Sequence, residues 1–151
     1  MSVCDNLGNI IAPLVVRPVN HHDSVLFTES FFELLDVADL LDLDLEGVPI
    51  TFDSAFDSAE NRVTISGQGL MPVIYPNPRN IRNQEKIDAL SAYFEPYRHL
   101  YKERYRIERS FAWEDVYRKL VIRYERLHCT HLGFKYLAYS MINLRWFMGK
   151  K

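Results

Sequence analysis

Basic residues are almost absent from the first 60 positions. Arg17 stands alone there against twelve Asp and Glu, a net charge of −11. Residues 61–151 reverse the balance, with 17 Lys and Arg against 8 acids and a net of +9, so the overall −2 hides two opposite halves. A basic, aromatic-rich half points to a polyanion, nucleic acid first, or else to neutralisation of one half by the other in the fold. Cysteine is scarce as well: Cys4 and Cys129 lie far apart, which excludes a disulfide framework and fits a reducing cytoplasm. Residues 1–5 carry neither a basic n-region nor an apolar h-region, so no secretory signal is read. Long uncharged apolar runs are missing too. Residues 132–148 are the most apolar late segment, yet they contain Lys135, Asn143 and Arg145, too polar for a membrane span. There is no glycine-rich phosphate loop. His128-Cys129-Thr130-His131 has no second cluster at zinc spacing, and His21-His22-Asp23 has no Ser or Cys in a nucleophile context.

What is present supports one folded domain. The 151 residues are 48% hydrophobic and 13% aromatic, enough for a real core. Residues 2–4 and 10–16 read as two strands around the turn Asp5-Asn6-Leu7-Gly8-Asn9. Asp23 or Ser24 is the expected cap of a helix to about Leu45, apolar near a 3.6 period through Phe27, Phe31, Leu34, Ala38 and Leu41, with an acidic solvated face and Gly47 as its stop. Residues 48–52 read as a buried strand with Asp53 at its C-terminal end. Asp57 or Ser58 caps a short helix to about Ile65, stopped by Gly67 and Gly69, and residues 70–75 form another strand. The order strand, strand, helix, strand, helix, strand argues for an α/β sheet with a parallel portion. Residues 76–83 are a basic irregular loop. The chain is helical from Gln84 with a break near Pro96, then a helix from Tyr97 to about Trp113, a basic aromatic stretch over 114–126, and a last helix that Thr130 can cap. Residues 1–75 are thus expected to be the sheet-rich acidic half of a single domain (1–151), and 76–151 its helical basic half.

Two places carry chemistry. On a helix, Tyr101, Arg104 and Glu108 fall on one face across two turns. Asp53 ends a strand. Carboxylates at a strand end and on a facing helix suit hard divalent cations, which accept oxygen ligands and share them with substrate phosphates. Two such ions about 3.5–4 Å apart clamp the attacking and leaving oxygens of a phosphoryl displacement. That arrangement needs three acids, of which Asp53 and Glu108 would be two. Arg104 would reach a phosphate, and Tyr101 would hydrogen-bond a phosphate or stack on a base. Arg79 and Arg82 lie in the 76–83 loop, a phosphate-contacting loop or a solvated connector. The blander alternatives are a turn or capping role for Asp53 and a solvated ion pair for Glu108, flanked by Arg104 and Arg109.

Asn9-Ile10-Ile11-Ala12-Pro13, residues 18–24, residues 52–62 from Phe52-Asp53-Ser54 to Asn61-Arg62, Asn77-Pro78-Arg79-Asn80, residues 107–115 and residues 137–147 together resemble bacterial insertion-sequence transposases of the IS5/IS4-like DDE type. The resemblance covers essentially the whole chain in order. It implies an RNase H-like mixed sheet with flanking helices, and Mg²⁺- or Mn²⁺-dependent cleavage and joining of DNA at insertion-sequence ends and target. It also implies a bacterial cytoplasmic, nucleoid-associated setting. Asp53 matches the catalytic Asp that ends a central strand. Tyr101, Arg104 and Glu108 match a motif of Tyr, two residues, Arg, three residues, Glu, six residues, Lys. Asp115 stands at the lysine's place, and Lys119 one turn later leaves that role open. Arg118 and Lys119 join Arg79 and Arg82 as expected DNA contacts. The first catalytic Asp of the family would precede residue 2, so the resemblance implies an N-terminally truncated catalytic domain without its first strand. Asp5 is the only acid before Asp23 and the one substitute in reach. The expectation is a catalytic-domain fragment with little or no activity by itself, able to act on complementation by a missing N-terminal segment, with a homo-oligomer as a further candidate partner. The alternative is a non-catalytic DNA-binding or inhibitory remnant.

Overall fold

The computed structural model of the chain describes residues 2–11, 15, 23–117, 120, 122 and 124–149. Its elements are α1 (Asp23–Leu40), β1 (Pro49–Phe52), α2 (Ala59–Ser66), β2 (Met71–Ile74), α3 (Gln84–Phe94), α4 (Arg98–Lys102), α5 (Tyr105–Glu114) and α6 (His128–Met148). β1 and β2 pair in parallel, Pro49 opposite Met71 and Phe52 opposite Ile74. The pairing is prepared one step earlier, where Gly47 donates to the Gly69 carbonyl at 2.8 Å and Met71 to Val48 at 2.9 Å. Parallel neighbours need a crossover, and α2 supplies it. Ser58 caps α2, its hydroxyl accepting from the Asn61 amide at 3.0 Å. Between the two residues proposed from sequence, Ser58 rather than Asp57 is the cap.

The first core fills one side of this unit. Phe27 and Phe31 of α1, Phe52, Ile65, Leu70 and Ile74 are all buried together. Phe27 stacks on Phe31 at 5.6 Å and meets Phe52 edge-on at 5.2 Å. Burial of each such side chain is worth about 1.5–3 kcal/mol, so α1 is held by its aromatic stripe rather than by its acidic face.

α1 ends at Leu40, five residues before the expected Leu45. Asp42 adopts φ 52°, and the Leu43 amide reaches back to Ala38 at 2.9 Å while Asp42 reaches Asp39 at 3.1 Å. These are the 6→1 and 5→2 bonds of a left-handed helix stop, with Asp in the place glycine usually takes. Gly47, φ 70°, instead turns the chain into β1. Thr130 does not cap α6 either. The helix begins at His128 after Leu127, which offers no side-chain cap, and Thr130 lies in the first turn.

Among the described residues the sheet consists of β1 and β2. The expected first two strands reduce to one antiparallel bridge, Cys4 with Ile10; residues 12–14 and 16 of the second lie outside the described residues. This turn packs on the last helices, not on β1. Ser110 donates to the Gly8 carbonyl at 2.7 Å and Arg109 to Leu7 at 2.8 Å. Asn143 of α6 takes both polar groups of Ile10, accepting its amide at 3.0 Å and donating to its carbonyl at 2.9 Å. A side-chain amide thus does for Ile10 what a neighbouring strand would do. Ile10, Tyr139 and Ile142 form a second core there, with Ile107, Trp113 and Leu132 against it. Within it Glu114 is buried, accepting from the Tyr139 hydroxyl and pairing with Lys135 at 2.7 Å.

Two stability outcomes follow. Asp42→Gly should raise the urea midpoint, by about 0.5–1 kcal/mol, because glycine adopts φ > 0 without Cβ strain; an unchanged or lower midpoint would contradict the helix stop described. Asn143→Leu removes two partners of Ile10 and should cost about 1–3 kcal/mol in the same measurement.

Candidate metal and DNA site

β1 delivers Asp53 to the carboxyl end of the parallel pair, the usual place for sites in such sheets. Asp53 opens a single 3₁₀ turn, Ser54–Phe56, in extended conformation and without capping it by its side chain. One carboxylate oxygen accepts from Ser54 Oγ at 3.1 Å and the other from Arg104 Nη1 at 3.2 Å. Arg104 Nη2 lies 3.1 Å from Glu108 Oε1. The two acids identified from sequence, 55 positions apart in the chain, therefore converge on one guanidinium. Asp53 and Glu108 remain 50% and 61% exposed, whereas Arg104 is 29% exposed. Both carboxylate side chains are thus accessible from solvent.

The expected single helix from Tyr97 to Trp113 is broken into three pieces. A 3₁₀ turn at Glu95–Tyr97 leads into α4, and α5 starts at Tyr105. Between them Glu103, Arg104, Arg106 and Ile107 donate to carbonyls three residues back, at 3.0 to 3.3 Å. This is a local tightening of the helix, which sequence periodicity does not register. Tyr101 sits on α4, with Arg104 over its ring at 5.6 Å. The ring packs against Phe94 at 5.4 Å and Tyr75 at 6.0 Å. Burial raises the Tyr101 pKa above its ordinary value, Arg104 opposes this, and the negative charges of Asp53 and Glu108 add to it. At neutral pH Tyr101 is a hydrogen-bond donor beside the carboxylates.

The loop after β2 is tied to the Asp53 turn by residues that the sequence reading gave no site role. Arg62 on α2 donates from Nε and Nη2 to Asp57 Oδ1, at 2.9 and 2.7 Å, and from Nη2 to the Ile74 carbonyl at 2.8 Å. Asp57 Oδ2 accepts the Asn77 amide at 2.8 Å, and Asn77 Nδ2 donates to Ser54 at 3.3 Å. Asp57 is therefore the clamp joining both strand ends. In the sequence Asp57 and Arg62 both fall in the stretch 52–62 that resembles the transposases, where Asp57 reads as a helix-cap candidate. Arg79 and Arg82 follow Asn77 on this pinned loop, both exposed. Arg118 and Lys119 lie outside the described residues. Asp115, at the place of the motif lysine, is exposed at the C-cap of α5.

Asp5 is not available to the cluster. Its carboxylate accepts from the amides of Leu7 and Asn9 at 2.8 Å and from Asn9 Nδ2 at 2.9 Å, all within its own turn. Among the described residues no group of three or more His, Cys, Asp or Glu is placed to hold a metal ion. Burial pushes the Cys4 thiol up to about 11, with Asp5 adding to it, so it is no nucleophile at neutral pH. Cys129 is exposed and free. His21 and His22 lie outside the described residues.

The described fold is thus a mixed α/β unit in which a strand-end carboxylate and a helix carboxylate share one guanidinium. The chain belongs to the transposase DDE domain family, whose model matches residues 1–140. No curated protein and no solved structure gave a significant match. Membership makes DNA transposition the process, DNA the partner, and divalent metal ions the family's general requirement. No helix among the described residues is long and apolar enough to cross a membrane.

The clamp gives a prediction. Asp57→Ala leaves the Arg62 guanidinium and the Asn77 amide without their shared acceptor, and should cost about 1–3 kcal/mol of stability by chemical denaturation. Ser58→Ala, which removes only the α2 cap, should cost about 1 kcal/mol. The reverse ranking would deny Asp57 its clamping role.

Proposed function

We propose that the chain is the strand-cleaving and strand-joining part of an IS5/IS4-like insertion-sequence transposase, with β1 and β2 as the central parallel pair of an RNase H-like sheet. The observation that carries this reading is the convergence of Asp53 and Glu108 on one cationic group. Two hard-oxygen donors already gathered around a positive charge, and open to solvent, fit a Mg²⁺ or Mn²⁺ ion that keeps water and phosphate in its remaining positions. Such an ion, when bound, activates water and neutralises charge on the phosphodiester. In this reading Asp53 and Glu108 are the catalytic, metal-holding residues. Arg104 aligns the DNA strand by its fork geometry, and the protonated Tyr101 donates to a phosphate or stacks on a base. Arg79 and Arg82 contact backbone phosphates from the pinned loop, joined by Arg118 and Lys119. The substrate is the end of an insertion sequence and its target in the bacterial nucleoid. The reaction breaks a phosphodiester with water, leaving a 5′-phosphate and freeing a 3′-hydroxyl; that hydroxyl then attacks a target phosphodiester, forming a new phosphodiester and releasing the target's 3′-hydroxyl.

With two carboxylates in the cluster and Asp5 engaged elsewhere, the 151-residue chain alone is expected to nick DNA little or not at all. Activity would then require a third acid, supplied by a homo-oligomer or by an N-terminal segment. The same two-acid count favours a second reading, a DNA-binding partner that pairs with intact transposase and inhibits it.

The proposal is tested by incubating the chain with supercoiled plasmid carrying insertion-sequence ends, in Mg²⁺ and in Mn²⁺. Little or no nicking is expected. Robust nicking lost in both Asp53→Ala and Glu108→Ala would establish the catalytic pair and refute the inactivity. DNA affinity should fall linearly in log–log form with salt, and Arg79→Ala and Arg82→Ala should each lower the slope by about 1. Salt-independent binding would remove the phosphate contacts from the reading.

A further inference from the structure

The cation that gathers Asp53 and Glu108 is a side chain of the protein itself. Arg104 places Nη1 3.2 Å from Asp53 and Nη2 3.1 Å from Glu108, occupying the charge position that a divalent ion would need. We propose that Arg104 is a built-in counter-ion, displaced when a divalent cation binds Asp53 and Glu108, and that its release onto a DNA phosphate couples metal binding to DNA binding. The inference rests on the carboxylate-pair reading given above.

Three features support it. The first is charge. Asp53, Glu108 and Arg104 sum to −1, and the Ser54 hydroxyl that donates to Asp53 and the Tyr101 phenol beside the guanidinium add no charge. A doubly charged ion entering beside the guanidinium is repelled by it, and gains the full −2 of the acids only once Arg104 has left. The second is the weakness of the hold. Each acid is at least half exposed, and ion pairs of that kind contribute little and are readily exchanged. The third is the mounting of Arg104. The guanidinium lies over Tyr101, whose ring is held by Phe94 and Tyr75, and its backbone lies in the 3₁₀ joint between α4 and α5. The proposed exchange requires only that the head of this mounted side chain move from the carboxylates to a phosphate. Without DNA the arginine keeps the acids paired and resists metal. With DNA the phosphate takes the arginine and frees the acids. Linkage then requires metal to raise DNA affinity by the same factor as DNA raises metal affinity.

The test is Mn²⁺ titration of the full chain, followed by water-proton relaxation, with circular dichroism to confirm folding. Without DNA, Arg104→Gln should bind Mn²⁺ about three- to tenfold more tightly than wild type, with Arg104→Lys between them. A short duplex, corrected for the Mn²⁺ it binds by itself, should raise Mn²⁺ affinity more in wild type than in Arg104→Gln, where only the phosphate's own ligation to the ion remains; an equal rise in both overturns the coupling. If Arg104→Gln binds Mn²⁺ equally or more weakly, while Asp53→Asn and Glu108→Gln abolish binding, the counter-ion role is overturned and the metal pair stands. If neither acid variant affects Mn²⁺ binding, the metal pair itself is wrong. Should Arg104→Gln misfold, the wild-type duplex arm decides, and no rise in Mn²⁺ affinity overturns the coupling.

Discussion

The site depends on the grip of Arg62 on Asp57. A parallel pair of four-residue strands cannot by itself fix the loops at its carboxyl end, because each loop leaves the sheet in its own direction. Arg62 holds Asp57 with two nitrogens and the Ile74 carbonyl with one of them, and Asp57 passes the hold to Asn77. The turn carrying Asp53 and the loop carrying Arg79 are thereby joined through three side chains, all partly screened from water. A charge-assisted network of this kind is stronger than neutral hydrogen bonds and has defined directions. It turns a short sheet into a platform on which a carboxylate can be aimed.

The split of charge along the chain acquires a meaning at that platform. The ion pairs Asp53–Arg104 and Asp57–Arg62 both join the acidic first 60 residues to the basic remainder. Both lie at the carboxyl end of β1 and β2, not along the acidic face of α1. At this end of the sheet two ion pairs join the halves, while Arg79 and Arg82 stay exposed. The aromatic group of Tyr75, Phe94 and Tyr101 backs this end of the molecule and sets a dry wall behind Arg104.

Much of this was legible in the sequence where a local rule governs. The apolar run before Asp53 defined β1 and its end, the glycines after Ile65 defined the stop of α2, and the spacing of Arg104 and Glu108 survived as an ion pair four residues apart. Readings failed where a local rule has two solutions. Asp42 closes α1 in a conformation that sequence assigns first to glycine, so Gly47 drew the boundary too late. The 3₁₀ joint at Glu103–Arg104 leaves the hydrophobic period intact, so the helix read as continuous. The clamping role of Asp57 was not legible, because its hold on Arg62 of α2 and on Asn77 after β2 spans 5 and 20 positions and follows no periodic pattern. The docking of the N-terminal turn on α5 and α6 spans more than 100 residues and was beyond any periodicity.

That docking also sets an alignment. The Asn143 amide has one acceptor and two donor hydrogens, and it satisfies the amide and carbonyl of a single residue, Ile10. Along an extended segment successive side chains alternate in direction, so a slip of one residue would present Asn9 or Ile11 to the amide and turn the Ile10 side chain out of its core. Asn143 therefore works as a ruler for the N-terminal turn: it allows one register at Ile10, fixed on the last helix.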